Sequence, residues 1–216
     1  MLWAFTLAAI AIAYLLGSVN FAIIVTRIAV NRDIRELGNK NPGMANVMRN
    51  VGMAWGILVA VLDGLKGLVP VLAARFLFLD SGSSLDSALL YAIGIAAVLG
   101  HCKSIFMGFT GGGGIATMQG VSLYFVPVEF LASMLIGGAL VLIFVKKKEF
   151  RFGQKTPIFF VTLTPFLALV ASLLVDVPLF GDLSIGGHDA GSIGGCFAMS
   201  LVLLALNASF LKRKVR

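Results

Sequence analysis

Long apolar runs constrain this chain more than any other feature of its sequence. They occupy Leu2–Val30 and residues 53–79, 85–99, 157–175 and 192–211. A straight transmembrane helix needs about 20 predominantly apolar residues. Hydrophobic residues make up 59% of the 216-residue chain and charged residues only 12%, which is too little charge to cover the surface of a soluble domain of this size. The sequence therefore predicts an all-α, polytopic integral membrane protein.

The distribution of charge predicts how the chain crosses the membrane. Of the 17 Lys and Arg residues, five lie within residues 27–49, five within 146–155 and four within 212–216. Residues 80–86 and 176–191 together hold five Asp and neither Lys nor Arg. Because basic loops stay cytoplasmic, we expect about seven transmembrane helices, with the N-terminus outside and the C-terminus cytoplasmic. Residues 115–145 must then cross twice or dip and return at Pro127, so a short or re-entrant helix follows the glycine-rich loop.

We expect one integral-membrane domain over residues 1–216, without a metal, a cofactor or a nucleic-acid partner. The first apolar run lacks a charged n-region and continues toward Arg27, unlike a secretory signal. Cys102 and Cys196 fall on opposite sides or in helices, so no disulfide is predicted. The basic inner face suits anionic lipid headgroups and anionic substrates. The simpler interpretation of most of these charges is the positive-inside pattern alone.

Polar residues also occur where lipid is expected. Asp63 and Lys66, in "LDGLKGLVP", lie at i, i+3 about halfway along the second apolar run. A charge at that depth costs at least about 2.5–3.5 kcal/mol, so the two side chains must face each other, an aqueous cavity or a partner. Both a structural ion pair and a functional pair fit. In "GSVNF", residues 17–21 of the first predicted helix, Ser18 and Asn20 fit a helix-packing role.

The predicted inner loop "NPGMANVMRN", residues 41–50, combines an amide with a guanidinium. Pro42 and Gly43 predict a turn, and Asn46 and Arg49 fall at i, i+3 on the helix that follows. A guanidinium can bind a phosphate through two parallel hydrogen bonds, and a helix start offers free N–H groups. The loop therefore indicates a phosphate site, and a solvated loop with a snorkelling Arg49 is the alternative.

Four consecutive glycines, residues 111–114, come ten residues after His101. Glycines can adopt positive φ and bring backbone donors close to an anion. The helix predicted to start near Ile115 would point its positive end at the same place. The run fits an anion-binding loop, and it also fits a flexible re-entrant turn. The predicted topology brings it to the same side of the bundle as residues 41–50, which favours an anion site.

From about Ala13 to Thr117 these stretches resemble the acyl-phosphate:glycerol-3-phosphate acyltransferases, small bacterial membrane enzymes that begin phosphatidic acid synthesis. The first-helix pattern of that family is matched by "LLGSVNF", and its Asp-x-x-Lys-Gly motif is kept at residues 63–67. The other matched positions are Asp33, Arg35, Gly38, Asn41, Gly43, Asn46, Arg49, Gly100, His101, Phe106, Phe109, Gly111, Gly112, Gly114, Ala116 and Thr117.

The resemblance implies a seven-helix fold and transfer of a fatty acyl group from acyl phosphate to glycerol 3-phosphate, or to a related anionic lipid precursor. It places the site at the cytoplasmic face of the bacterial inner membrane, among membrane lipids, with no cofactor and no nucleophilic Ser or Cys. The catalytic residues that it implies are Arg49, Lys66 and His101. The substrate- or phosphate-binding residues that it implies are Asn39, Asn41, Gly43, Asn46, Asp63, Gly111, Gly112, Gly114 and Thr117.

The chain departs from the family pattern at several positions, and two function hypotheses stay open. The substituted positions are Asn39, Lys40, Ala45, Ser104 and, in place of the two loop lysines, Thr110 and Gly113. The closing histidine motif also has no counterpart. One lost transition-state donor costs about 10²–10³ in rate. The chain is thus either an acyltransferase in which Lys40 or Lys103 substitutes for the loop lysines, or a weakened relative. Such a relative would act as a membrane scaffold or partner subunit, or acylate another acceptor; a transporter is a third alternative.

Overall fold

The computed structural model describes residues 2–79, 83–144, 164, 166–167 and 190–207. The α-helices of this part of the chain are Leu2–Ser18 (α1), Phe21–Val30 (α2), Met44–Asn50 (α3), Met53–Leu77 (α4), Ser84–Cys102 (α5), Ile115–Phe125 (α6), Pro127–Phe144 (α7) and Ala190–Leu206 (α8). Short 3-10 turns at Ile34–Glu36 and Ile105–Met107 lie in the connecting loops. The all-α prediction is confirmed.

Three described segments are long and apolar enough to cross a membrane: Leu2–Val30, Met53–Leu77 and Ser84–Cys102. Pro127–Ile136 and Gly194–Leu206 are shorter apolar helical segments. The predicted run at 157–175 lies almost wholly outside the described residues, as do the basic stretches at 146–155 and 212–216. The number of spans and their orientation therefore remain predictions.

The first apolar run breaks in the middle, so the expectation that "GSVNF" lies inside one continuous helix was wrong. Helix α1 ends at Ser18, and Asn20 adopts an extended conformation with φ −99° and ψ 97°. The Asn20 Oδ1 accepts a hydrogen bond of 3.0 Å from the Ile23 N–H and so caps α2. Asparagine is a strong N-cap because its side chain satisfies a donor that the helix start leaves unpaired. The break leaves the Val19 carbonyl available to a side chain.

A second break separates α6 from α7 at Val126, directly before Pro127. Helix α6 is short, with 11 residues, and α7 begins at the proline. Proline is favoured at the first helical position because its missing N–H would have no intrahelical partner there. The break lies where the sequence predicted it, whereas the path of these two helices across the bilayer stays a prediction.

Contacts divide the chain into two compact units, Met1–Phe78 with Ala92–Val121, and Leu79–Tyr91 with Ser122–Arg216. The buried apolar cluster of the first unit consists of Ala22, Val25, Ile34, Val47 and Val59. All the site residues described below belong to this first unit. The expectation of a single domain stays a prediction.

The second unit has its own packing, built on aromatic rings and a buried hydroxyl pair. The Tyr91 ring stacks on Phe125 with ring centroids 3.7 Å apart. The hydroxyls of Ser133 and Thr164 lie 2.8 Å apart and hydrogen-bond each other. Cys196 is buried in this unit and free, and Cys102 in the first unit is also free.

Helices α4 and α6 approach closely enough in the first unit for their backbones to touch. A Cβ atom on Gly67 would overlap the Thr117 carbonyl oxygen, and one on Gly120 would overlap the Gly64 carbonyl oxygen. Small residues allow such close approach between membrane helices. The contact holds the first turn of α6 beside the part of α4 that carries the buried charges.

Candidate active site

The site is organised around a buried ion pair in the middle of α4. Lys66 Nζ lies 2.9 Å from Asp63 Oδ1, and the two side chains are only 4% and 3% exposed. Lys66 Nζ also donates a hydrogen bond of 2.8 Å to the Val19 carbonyl at the break between α1 and α2. Of the three expected surroundings for these charges, the structure shows the first, since the two side chains face each other. Each charge is paired, as burial at this depth requires.

His101 lies in the last turn of α5, between the ion pair and the glycine loop. Its side chain is buried, and its Nδ1 is 3.7 Å from Asp63 Oδ1. A Cβ on Gly112 would overlap the other ring nitrogen, Nε2, and the Gly112 N–H donates a hydrogen bond of 3.1 Å to the His101 carbonyl. The imidazole therefore separates the Asp63 carboxylate from the loop, and the loop backbone rests on it.

The glycine loop needs its glycines mainly for space. Within residues 111–114 only Gly114 adopts the positive φ that glycine allows, at 77°. A Cβ on Gly111 would overlap the His101 carbonyl oxygen, and one on Gly112 would lie 3.0 Å from the Pro42 carbonyl oxygen. The backbone of this loop fits between α5 and the 39–43 loop, where there is no room for a side chain.

The first turn of α6 follows the loop and presents unpaired donors. Thr117 lies in this turn, its side chain is fully buried, and its Oγ1 has no hydrogen-bond partner among the described residues. The first N–H groups of a helix also lack intrahelical partners and carry partial positive charge. Because Thr117 touches Gly67, this anion-attracting helix end lies next to Lys66 in α4. The arrangement is suited to an anion.

The Asn46 side chain holds the 34–43 loop together. Its Nδ2 donates to the carbonyls of Ile34 (3.2 Å) and Leu37 (3.0 Å). Its Oδ1 accepts from the Asn39 N–H (3.4 Å) and from Asn50 Nδ2 (2.8 Å). The sequence pattern placed this amide beside the Arg49 guanidinium, whereas in the structure its hydrogen bonds are all made within the loop and α3.

We expect replacement of Asn46 by Ala to destabilise the protein by about 1–3 kcal/mol, because the loop carbonyls lose their buried donor. Thermal unfolding in detergent measures the loss. Asn46→Asp is the matched variant, since it keeps the shape and the Oδ1 acceptor but has no donor for Ile34 and Leu37. Equal stability of the Asp variant and the unmodified protein would show that these two hydrogen bonds are unimportant.

The remaining predicted residues of the first inner loop lie near the surface. Arg49 is exposed in the last turn of α3. Asn39 is exposed, and its Oδ1 accepts a hydrogen bond of 3.1 Å from the Asn41 N–H. Gly43 is the N-cap residue of α3 and has no side chain to cap the helix. Arg49 is thus the predicted catalytic side chain most accessible to a soluble substrate.

Asp33 and Arg35, which match the family pattern, bind each other. Arg35 donates from Nε to Asp33 Oδ1 (3.0 Å) and from Nη2 to Oδ2 (2.8 Å), and Arg27 donates to Oδ2 (3.0 Å). The hydrogen-bonded Arg35 guanidinium holds the pKa of the Asp33 carboxyl well below its usual range, despite the opposing effect of burial. Such bidentate pairs are geometrically specific. These residues therefore give the inner loop its shape.

Asn20 and two backbone carbonyls are the parts of the site that sequence reasoning missed. The Asn20 Nδ2 donates a hydrogen bond of 3.2 Å to the Pro42 carbonyl, which ties the first inner loop to the helix break. The sequence suggested only a packing role for Asn20, and a carbonyl such as that of Pro42 or Val19 leaves no signal in a sequence. Contacts run in a ring through Val19, Asn20, Pro42, Gly112, His101, Asp63 and Lys66.

Comparison with known sequences gives a consistent result. A sequence profile of the glycerol-3-phosphate acyltransferase family matches residues 7–211. A glycerol-3-phosphate acyltransferase of Albidiferax ferrireducens is 33% identical over 213 residues, which cover 98% of this chain and 87% of that protein. One of Legionella pneumophila (strain Philadelphia 1) is 38% identical over 173 residues, which cover 79% of this chain. The match covers 58% of the length of the Philadelphia 1 protein and 60% of the length of its counterpart in strain Lens.

Comparison with solved structures gives the same fold. The crystal structure of PlsY, an integral membrane glycerol 3-phosphate acyltransferase, in its glycerol 3-phosphate form matches with a TM-score of 0.76 and 28% identity. The lysophosphatidic acid form of that protein matches with a TM-score of 0.69 and 27% identity. Both matches cover 96% of this chain and 90% of the other chain. The fold is therefore that of an integral membrane protein.

Proposed function

Because this chain belongs to the glycerol-3-phosphate acyltransferase family, we propose that it transfers a fatty acyl group from acyl phosphate to glycerol 3-phosphate. The products are lysophosphatidic acid and inorganic phosphate, in the first step of phospholipid synthesis. We place the reaction at the cytoplasmic face of the bacterial inner membrane, where the positive-inside pattern puts the basic inner loops.

The observation that carries the proposal is the convergence of three elements on His101. The glycine loop rests on its imidazole, the 39–43 loop reaches Gly112 through the Pro42 carbonyl, and the Asp63–Lys66 pair lies on the other side of the ring. The first turn of α6, with its free N–H groups, begins at the end of the glycine loop. Backbone donors thus lie beside His101 and the buried ion pair within the first unit, which supports a site for anionic groups.

The reaction needs positioning and charge stabilisation more than a nucleophilic side chain. An acyl phosphate is a mixed anhydride, so phosphate is already a good leaving group. The substrate hydroxyl attacks the acyl carbonyl carbon, a new ester C–O bond forms, and the C–O bond to phosphate breaks. Inorganic phosphate leaves with the electron pair and, in the balanced reaction, with the hydroxyl proton. The protein has to hold the two anions close together and donate hydrogen bonds to the charge that develops.

We assign these roles to residues as follows. The N–H groups at Gly114 and the first turn of α6 bind the phosphate of the acyl donor, and Thr117 Oγ1 supplies a further donor. Arg49 binds the phosphate group of glycerol 3-phosphate from the exposed side. Lys66 and Asp63 act as a pair that positions His101 and the helix break, since the Lys66 ammonium is neutralised by the carboxylate. Lys40 and Lys103, both exposed, flank the site and supply positive charge in place of the family's loop lysines.

A catalytically silent relative is the second candidate, and one specific observation favours it. The two positions that carry lysine in the family are Thr110 and Gly113, and the Thr110 hydroxyl donates a hydrogen bond of 2.7 Å to the Met107 carbonyl. Neither position brings a positive charge to the loop. Such a protein would keep the fold and a weak anion site, and would act as a scaffold or partner subunit in the membrane.

We expect Arg49→Ala to lower kcat/KM about 10²–10³-fold, because the charged donor that holds the phosphate of glycerol 3-phosphate up to the transition state is lost. The assay uses the purified protein in liposomes with long-chain acyl phosphate and glycerol 3-phosphate, and it measures both released phosphate and lysophosphatidic acid. Arg32→Ala is the matched control, because Arg32 is also an exposed arginine of the first inner loop and has no assigned role. Absence of turnover in the folded, unmodified protein would exclude this donor–acceptor pair and favour the silent relative.

A further inference from the structure

Residues 103–110, between α5 and the glycine loop, form a turn that presents large apolar side chains outward; we call it the aromatic turn. Phe106 is 66% exposed and Phe109 is 60% exposed, and Ile105 beside them is also exposed. Single exposed apolar residues need no explanation, but three within five residues form a patch. We propose that the aromatic turn is an interfacial anchor that inserts Phe106 and Phe109 into the lipid boundary beside the candidate site.

The turn has a defined, internally bonded conformation. The Ser104 N–H donates to the Thr110 carbonyl at 3.1 Å, and the Phe109 N–H donates to the Ser104 carbonyl at 2.8 Å. Phe109 has a φ of 58°, in the left-handed region, which is unfavourable for a bulky side chain. The backbone therefore accepts strain in a conformation that leaves the Phe109 ring exposed, and such strain tends to accompany a functional constraint.

Two long-range hydrogen bonds fasten the turn to α1. The Ser104 hydroxyl, buried, donates to the Ser18 carbonyl at 2.7 Å, and the Tyr14 hydroxyl donates to the Lys103 carbonyl at 2.7 Å. The neighbouring Leu15 and Leu16 of α1 are exposed, as expected for the lipid-facing side of a spanning segment. The exposed rings are thus presented from a rigid support that itself faces lipid.

The lipid boundary is the occupant that chemistry and position favour. The turn begins directly after Cys102, the last residue of the spanning helix α5, so its apolar surface continues that of a membrane-embedded element. Exposed Lys103 at its start is suited to the phosphate of a lipid headgroup. Aromatic and aliphatic side chains beside a basic residue are the usual composition of segments that lie about 5–10 Å deep in the headgroup–acyl boundary.

The anchor would have a consequence for the site. The glycine loop follows Thr110 without an intervening residue, so insertion of the turn would hold that loop at the membrane surface. A long-chain acyl phosphate partitions into the same boundary with its phosphate toward water. This consequence rests on the proposed function, whereas insertion itself does not, and the two are tested separately.

Insertion is tested by a single tryptophan in the turn. Trp3 and Trp55 are replaced by Phe, and Phe106→Trp then supplies the only indole, in vesicles of phospholipids brominated on the upper acyl chain. We expect the bromolipids to quench most of the emission and aqueous iodide to quench little. Two matched controls mark the two extremes. Leu7→Trp, on the lipid-facing side of α1, is the control for an indole in lipid, and Arg32→Trp, in the exposed inner loop, is the control for an indole in water.

Two results would overturn the anchor. Quenching by iodide alone would place the ring in water, and quenching by neither reagent would mean that protein covers it. Because Phe106 is exposed, the Trp variant is expected to keep the unfolding temperature of its Trp-free parent; if it does not, Ile105→Trp takes its place.

Turnover is tested with Phe106→Ser in liposomes. We expect this variant to lose activity toward long-chain acyl phosphate and to keep activity toward a water-soluble short-chain acyl phosphate. Bromolipid quenching without any turnover in the unmodified protein would support the anchor and count against the proposed function. An equal loss toward both donors would contradict the link between the anchor and the acyl donor.

Discussion

Replacing Asp63 by Ala is expected to lower the free energy of unfolding by about 3–5 kcal/mol, the typical cost of removing one partner of a buried ion pair. The Lys66 ammonium would remain almost fully buried, with the Val19 carbonyl as its hydrogen-bond partner. His101 would at the same time lose the carboxylate that its Nδ1 faces. Denaturant or thermal unfolding of the purified protein in detergent measures this loss.

The control replaces both charges together. Asp63→Leu combined with Lys66→Met removes the pair without leaving an unpaired charge, and apolar replacement of a buried pair is often neutral or stabilising. We expect the double variant to recover most of the stability lost in Asp63→Ala. We also expect it to lack turnover, because the link from α4 to the Val19 carbonyl is gone. Unchanged stability in the single variant would show that the pair is exposed to water or lies outside the membrane.

Replacing Gly112 by Ala is expected to lower turnover about 10²-fold, the effect of a displacement of about 1 Å in a reacting site. The added methyl group would overlap His101 Nε2 and lie 3.0 Å from the Pro42 carbonyl oxygen, so either the imidazole or one of the loops must move. Stability should fall much less, since a loop of this kind can shift. The measurement is steady-state turnover of acyl phosphate, with unfolding temperature determined on the same preparation.

Gly194→Ala is the matched control for this substitution. Gly194 lies in α8, and a Cβ there would have no heavy atom within 4 Å. Both stability and turnover are expected to be retained, because alanine also favours helix over glycine. If Gly112→Ala were as active as Gly194→Ala, the close contact of the glycine loop with His101 would not matter for function.

Several features of the site could be predicted because they follow from costs that any membrane fold must meet. Asp63 and Lys66 needed each other, an aqueous cavity or a partner, since an isolated charge in lipid is expensive, and their i, i+3 spacing on one helix allows them to pair. The helix break at Pro127 was predictable because proline has no N–H to donate to the preceding helical turn and its ring clashes with that turn. The matches of residues 63–67 and 100–117 to a known family indicated the region of the candidate site without any knowledge of its geometry.

Other contacts could not be predicted from the sequence, for identifiable reasons. Asn46 and Arg49 lie three residues apart, which predicted a shared face, but the Asn46 amide donates to the carbonyls of Ile34 and Leu37. The sequence allows a helix-packing role for the polar side chain of Asn20, and in the structure this side chain caps α2 and donates to the Pro42 carbonyl. In both cases the partner was a backbone group brought close by the fold, and spacing along the sequence carries no information about such groups.

The sequence by itself determined that this chain is a membrane protein, that Asp63 and Lys66 need a charged partner or polar surroundings, and which family its motifs resemble. These properties depend on hydrophobicity, on the cost of burying charge and on residue order, all of which are local. Only the tertiary structure decided what the glycines, Asn20 and Asn46 do. The roles of the glycines depend on backbone contacts too close for a side chain. The roles of the polar side chains depend on carbonyls from distant parts of the chain, such as those of Val19 and Pro42. Packing alone sets these positions, because a hydrogen bond or a steric contact depends on distances in space that no spacing in the sequence specifies.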